Sequence, residues 1–122
     1  MEIAKSLRKL LLSTQSVQHI FITDKEGIPI IGVNELGEED VRNRMQLINS
    51  NQITMEQIPK LNLGEQKSAI FCYESTTLVI LQISPLFVII IASSEASIGT
   101  LRNLRHPLKP IIAEIVNATG LY

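Results

Sequence analysis

The 122-residue sequence is poor in residues on which many functional sites depend. It has no tryptophan, three phenylalanines and two tyrosines, so it offers few aromatic platforms for stacking single-stranded nucleic acid. Its formal net charge of −1 differs from the basic footprint of a nucleic-acid-binding protein. The one cysteine, Cys72, has no second cysteine in the chain with which to form a disulfide, which suits a reducing compartment. We therefore expect no nucleic-acid partner.

The sequence also lacks a hydrophobic run long enough to cross a bilayer. A membrane-spanning helix needs about 20 consecutive apolar residues, whereas residues 78–92 are interrupted by Gln82, Ser84 and Pro85. The two halves are rich in Val and Ile, which favour strands because branched side chains pack well on a pleated surface. Ser84-Pro85 is typical of a turn. The pattern predicts a hairpin of two central strands, 78–83 and 86–92.

We expect no targeting or lipidation signal at either terminus. The chain opens with a charged amphipathic segment, so we expect no signal peptide. Glu2 excludes N-myristoylation, and the final residues TGLY do not form a prenylation box.

The rest of the chain predicts a single α+β domain over residues 1–122. Residues 2–13 have apolar positions at helical spacing, and 18–24 and 28–33 read as strands joined by a turn at Asp24 and Gly27. A middle helix is predicted to begin at Glu38, Glu39 and Asp40, whose charges suit its positive end. A third strand follows at 68–75. Ser97 is predicted to cap a C-terminal helix, and Pro107 and Pro110 predict a kink or a restart there. We expect a five-stranded antiparallel sheet with helices packed on it, in the order α-β-β-α-β-β-β-α.

The middle helix and the third strand carry more apolar surface than one small domain is expected to cover by itself. On the strand, alternation places Ile70 and Cys72 on one face and Ala69, Phe71 and Tyr73 on the other. We therefore predict that another chain covers these two elements. The candidate interface residues are Val41, Met45, Ile48, Gln52, Met55, Ala69, Ile70, Phe71, Cys72 and Tyr73.

The sequence predicts no catalytic, metal-binding or cofactor-binding site. His19 and His106 have no second ligand at metal-binding spacing, and we expect both to be partly exposed. Cys72 lies in an apolar strand without a neighbouring cation, so we expect a buried, inert thiol. The segment KSLRKLLL, residues 5–12, has basic residues followed by leucines, as in peptides that dock on kinases; an amphipathic helix explains the same pattern.

Four stretches resemble the Roadblock/LC7 superfamily, whose fold is profilin-like. They are HIFITDKEGIPIIGV, KSAIFCYES, SPLFVIIIASSEASIG and LKPIIAEI, and the likeness extends from about residue 17 to 116. Within the superfamily the chain is most similar to the MEK-partner scaffold subunits of the Ragulator (LAMTOR) complex. It departs from their pattern in the polar stretch RNRMQLINSNQ of the middle helix and at Pro107.

The resemblance implies a non-enzymatic scaffold without a cofactor. Such proteins form a heterodimer with a second Roadblock-fold subunit through the middle helix and the third strand, and they join other Ragulator subunits. They present MEK and ERK kinases to each other and help to dock Rag GTPases. They lie on the cytosolic face of late endosomes and lysosomes, held indirectly by a lipidated partner.

Two alternatives remain open at this point. A Roadblock module like the dynein light chain would act as a homodimeric cargo adaptor. A small enzyme or ligand sensor on a profilin-like sheet would need a convergent acid, base, metal or phosphate cluster, for which the sequence offers no candidate.

Overall fold

The apolar run at residues 78–92 forms two adjacent strands, as the sequence predicts. A computed structural model describes residues 2–26, 28–34, 37–38, 68–72 and 76–120 of the chain. Its strands are β1 (Val17–Thr23), β2 (Pro29–Asn34), β3 (Gly37–Glu38), β4 (Ser68–Cys72), β5 (Thr76–Ile83) and β6 (Leu86–Ser93). Its helices are α1 (Glu2–Ser13), α2 (Ile98–Asn103) and α3 (Arg105–Thr119).

The strands form one antiparallel sheet in the order β3-β2-β1-β6-β5-β4. The five predicted strands are present, and the two-residue strand β3 is an addition. Glu38 therefore lies in an extended segment, opposite Val33, and the prediction that a helix begins there is wrong. The predicted middle helix otherwise lies outside the described residues.

The turn between β1 and β2 is held by Asp24, as its position predicts. One carboxylate oxygen of Asp24 accepts hydrogen bonds from the backbone N–H of Glu26 at 2.8 Å and of Ile28 at 2.9 Å. The Asp24 N–H also donates to the Ile28 carbonyl at 2.9 Å. A short acidic side chain that satisfies nearby backbone donors fixes such a turn locally, and this sets the β1–β2 register.

The C-terminal helical segment restarts at Leu104, earlier than the prolines that predicted a break. The Ser97 hydroxyl caps α2 by accepting a hydrogen bond from the Thr100 N–H at 3.4 Å. The Leu104 backbone both ends α2 and precedes α3. Pro107 then falls in the first turn of α3, where its missing N–H costs nothing, and Pro110 lies inside the helix.

One face of the sheet packs against the three described helices. The strands contribute alternate residues such as Ile20, Val79 and Ile90, and α1 contributes Leu7 and Leu11, all of them fully or almost fully buried. The buried side chains of α2 and α3 are Leu101, Arg105, Leu108, Ile111, Ile112 and Ile115. Burial of apolar area on this scale is the main stabilising term of the fold. Ile98 is 38% exposed, because it lies in the first turn of the short helix α2.

Candidate partner interface

Strand β4 lies at the end of the sheet and is the first half of the candidate interface. It pairs with β5 through Ser68↔Leu81 to Cys72↔Thr77, and among the described strands none pairs with its other edge. A strand edge presents a row of backbone donors and acceptors that another chain can complete. Ser68, Ala69, Ile70 and Phe71 are half-buried and Cys72 is exposed.

Side chains on β4 point to two different environments. Ile70 lies opposite Val79 and packs partly buried against the core under the helices. Ala69 lies opposite Ile80, and Phe71 lies opposite Leu78. Because Ile80 and Leu78 alternate with Val79 along β5, Ala69 and Phe71 belong to the other face of the sheet.

That second face is apolar across the sheet and continuous with β4. One row of paired residues runs Phe21, Ile89, Ile80 and Ala69. Phe21, Ile89 and Ile80 are each 0% exposed, yet none of them is part of the cluster that packs against the three helices. A second row runs His19, Ile91, Leu78 and Phe71. Ala69 and Phe71 extend these two rows to the edge strand, where their side chains are partly exposed to a partner that pairs with β4.

Four of the ten predicted interface residues lie together on β4. Ala69, Ile70, Phe71 and Cys72 are consecutive there, and their partly exposed side chains are compatible with a contact surface. The other predicted residues lie outside the described part of the chain. These are Val41, Met45, Ile48, Gln52, Met55 and Tyr73.

Two expectations about burial are wrong. Cys72 was expected to be buried, but it is exposed, because β4 is the terminal strand of the sheet and Cys72 is its last residue. His19 was expected to be partly exposed, but it is only 8% exposed, since β1 lies between β2 and β6. The His19 and Phe21 rings are stacked, with centroids 6.0 Å apart and planes 6° apart. His106 is exposed, as predicted.

The leucines of KSLRKLLL are not available to a kinase in the way that an extended docking peptide requires. The segment is part of α1, and Leu7 and Leu11 are 0% and 1% exposed within the core. Leu12 is 57% exposed, and the basic side chains of Lys5, Arg8 and Lys9 lie on the exposed face. The amphipathic-helix interpretation is therefore confirmed for this segment.

Arg105 is a structural residue that the sequence reading missed. It is the first residue of α3 and only 8% exposed. Its Nη1 donates a 2.7 Å hydrogen bond to the backbone carbonyl of Gln82, near the end of β5. A cation at the positive end of a helix is unfavourable for the helix dipole, but the sequence gives no sign of this mismatch, because the helix start at Arg105 is visible only in the structure.

Within the described ranges, no group of three or more His, Cys, Asp or Glu side chains is placed to hold a metal ion. None of the described helices is both long and apolar enough to cross a membrane. The described surface offers the outer edge of β4, with which no described strand pairs, and the partly exposed side chains of Ala69 and Phe71 beside it. On the helical side it offers the exposed basic face of α1.

Comparison with known proteins identifies the family. A model of the family described as "Mitogen-activated protein kinase kinase 1 interacting" matches residues 1–119. The chain belongs to this family. Among its relatives, Ragulator complex protein LAMTOR3-B of Xenopus laevis is 30% identical over 98% of each chain. LAMTOR3 of Danio rerio is 31% identical, over 89% of this chain and 88% of the relative.

Solved structures show the same fold at low sequence identity. MglC from Myxococcus xanthus superposes with a TM-score of 0.66 at 18% identity, over 93% of this chain and 99% of that one. A Roadblock/LC7 domain from Streptomyces avermitilis gives a TM-score of 0.61 at 13% identity, over 90% and 97% of the two chains. The fold is thus the Roadblock/LC7 fold that the sequence motifs predicted. In this family member the outer edge of β4 is not paired with any described strand.

Proposed function

We propose that this chain is a non-enzymatic scaffold subunit of a Ragulator-type complex. The observation that carries the proposal is the family match over residues 1–119, supported by Ragulator relatives of nearly equal length. The described surface fits this role, since it offers a strand edge and helix faces on which macromolecules can dock.

The chain pairs with a second Roadblock-fold subunit through β4 and the predicted middle helix. Pairing along the β4 edge extends the sheet into the partner and satisfies the open backbone donors and acceptors. Ala69 and Phe71 contribute apolar contacts on the second face, and Cys72 lies at the exposed end of the strand. The remaining interface residues are Val41, Met45, Ile48, Gln52, Met55 and Tyr73.

The heterodimer joins other Ragulator subunits and brings MEK and ERK kinases together, and it helps to dock Rag GTPases. Binding two partners on one scaffold makes their encounter intramolecular, which raises apparent affinity by about 10²–10⁴. The assembly lies on the cytosolic face of late endosomes and lysosomes and is attached through a lipidated partner.

Affinity purification of the tagged full-length chain from its own cells tests this function. The expected result is recovery of four other small Ragulator-type subunits, one of them a Roadblock-fold partner at equal stoichiometry. Recovery of a self-associated chain with dynein subunits instead would favour the cargo-adaptor alternative and overturn the proposal. A reproducible thermal shift of the purified chain with a nucleotide or metabolite would favour a ligand sensor.

A further inference from the structure

The described helices carry a charge opposite to that of the rest of the chain. Residues 2–13 and 98–119 contain six basic and two acidic residues, whereas the remainder contains five basic and ten acidic residues. The chain is therefore nearly neutral as a whole, but its described helices together carry a positive charge. Such an asymmetry favours binding of an acidic partner on the helical side.

A groove of about 430 Å³ lies between α1 and α3 on this side. Its apolar surface comes from Leu10, Pro107, Pro110 and Ile111. Proline has no backbone N–H, so the α3 wall presents ring carbons where an ordinary helix start would present donors. The polar lining consists of Ser6, Lys9 and Ser13 on α1 and Glu114 on α3.

The two walls of the groove carry opposite charges. Lys9 lies on the α1 wall, and Glu114 lies on the α3 wall. A second depression of about 470 Å³ continues along α1 beside Lys5, Arg8 and the 57% exposed Leu12. The basic residues that line the two depressions thus all lie on α1, and an occupant with acidic residues on one flank is complementary to that wall.

The dimensions of the groove fit a short protein segment. Its lining spans Ser6–Ser13 on α1 and Pro107–Glu114 on α3, and eight helical residues measure about 12 Å. A cleft between two helices admits a peptide that places apolar side chains against its floor. A flat membrane surface would contact only the rim of the groove, because it cannot enter a concave site. The shape of the groove therefore favours a peptide over a membrane.

We propose that the α1–α3 groove is a second docking site, which binds an amphipathic acidic segment of a partner protein. The segment places about two turns of apolar side chains against Leu10, Pro107, Pro110 and Ile111, with its carboxylates toward Lys9 and the α1 surface. This inference rests on the proposed scaffold function, because a scaffold needs a binding surface that remains open when β4 is occupied.

Synthetic peptides test the site on the full-length chain bound to its Roadblock-fold partner. The probe is a fluorescent helical peptide of leucine and glutamate with its leucines on one face. The first comparison peptide has lysine in place of glutamate, and the second has the same residues as the probe in scrambled order. Fluorescence anisotropy should show that the glutamate peptide binds at least about tenfold more tightly than either comparison peptide, and less tightly at high salt.

Substitutions in the groove locate the binding. Lys9→Glu should weaken binding of the glutamate peptide about fivefold or more, and Ser6→Trp should weaken it by obstructing the groove. Lys25→Glu, an equal charge change in the exposed β1–β2 turn, should leave binding unchanged. Circular dichroism and the heterodimer yield serve as controls for folding and pairing.

The possible outcomes separate this proposal from the proposed function. Equal binding of the glutamate and lysine peptides, or no effect of Lys9→Glu, would overturn the groove assignment. So would an absence of peptide binding combined with Lys9-dependent binding to vesicles that contain about 30% phosphatidylserine, which would identify the surface as a membrane contact. In each of these cases the scaffold proposal would still hold if the heterodimer remained intact. Failure of the chain to pair with a Roadblock-fold partner would contradict the scaffold proposal and would not test the groove.

Discussion

The guanidinium of Arg105 donates to the backbone carbonyl of Gln82 across 2.7 Å, and 23 positions of sequence separate the two residues. The bond connects the first turn of α3 to the hairpin that joins β5 and β6. Because Arg105 is 8% exposed, the bond forms in a poorly solvated environment where a charged donor contributes more than a neutral one. The orientation of α3 on the sheet therefore depends on a residue that also defines one end of the helix.

Replacing Arg105 with methionine should lower the free energy of unfolding by about 1.5–3 kcal/mol. The substitution keeps most of the apolar stem but leaves the Gln82 carbonyl without this donor. Urea denaturation followed by circular dichroism, at a fixed protein concentration, measures the effect. Arg102→Met, at an exposed arginine of α2, is the matched control and should change stability by less than about 0.5 kcal/mol. Equal losses in the free energy of unfolding for the two substitutions would show that the Arg105–Gln82 hydrogen bond does not stabilise the fold.

A charge at Phe71 should disrupt pairing with the partner subunit while leaving the chain folded. Phe71 is half-buried on the second face of the edge strand, so Phe71→Glu places a carboxylate in the proposed interface. The dissociation constant should rise at least about 30-fold, as for other central interface residues, measured by analytical ultracentrifugation of the heterodimer. Gln18→Glu, at an exposed position of β1, is the strand control. An unchanged dissociation constant for Phe71→Glu would exclude this face of β4 from the interface.

The neighbouring Ile70 is a poorer probe of the same interface. Its side chain packs against the core under the helices, so Ile70→Glu would bury part of a charge within the chain itself. We expect that variant to lose folding stability as well as pairing. Comparing its far-ultraviolet circular dichroism with that of Phe71→Glu would separate the two effects, and identical folding behaviour would contradict the assignment of opposite faces.

Local features of the sequence predicted most of the fold. Asp24, Ser84-Pro85 and Ser97 each act on residues within four positions of themselves, so the turns and the cap could be predicted from the local sequence. The exposure of His19 and Cys72 could not be predicted, because it depends on which strands become neighbours in the folded sheet. Alternation assigns a residue to a face, but only the strand order shows that β1 is central and β4 is at the edge. Arg105 was missed for the same reason, since its partner Gln82 is distant in sequence.

The Asp24 turn offers a test of local stabilisation. Asp24→Ala removes an acceptor for two backbone donors, at 2.8 and 2.9 Å, and should lower the free energy of unfolding by about 1–2 kcal/mol. Asp24→Asn retains an acceptor oxygen and should restore most of that loss. Lys25→Ala, in the same exposed turn, controls for removal of a side chain. Thermal denaturation measures all three, and a loss in Asp24→Asn as large as in Asp24→Ala would show that the acceptor is not the source of the stabilisation.

The two prolines of α3 should respond differently to replacement by alanine, although only three positions separate them. The first hydrogen bond of the helix runs from the Leu108 N–H to the Leu104 carbonyl at 3.0 Å, so Pro107 precedes every residue whose N–H donates a hydrogen bond within the helix. Pro110 lies two residues beyond Leu108, and its ring leaves the His106 carbonyl without the usual helical N–H. Pro110→Ala should therefore raise the free energy of unfolding by about 1–3 kcal/mol, whereas Pro107→Ala should change it by less than about 1 kcal/mol. Both prolines line the α1–α3 groove, so the same two variants can be measured for peptide binding. A Pro110→Ala variant that is more stable but binds the glutamate peptide less tightly would show that the proline ring shapes the groove at a cost to helix stability. Equal stability of the two variants would contradict the prediction that the missing N–H of Pro110 destabilises α3.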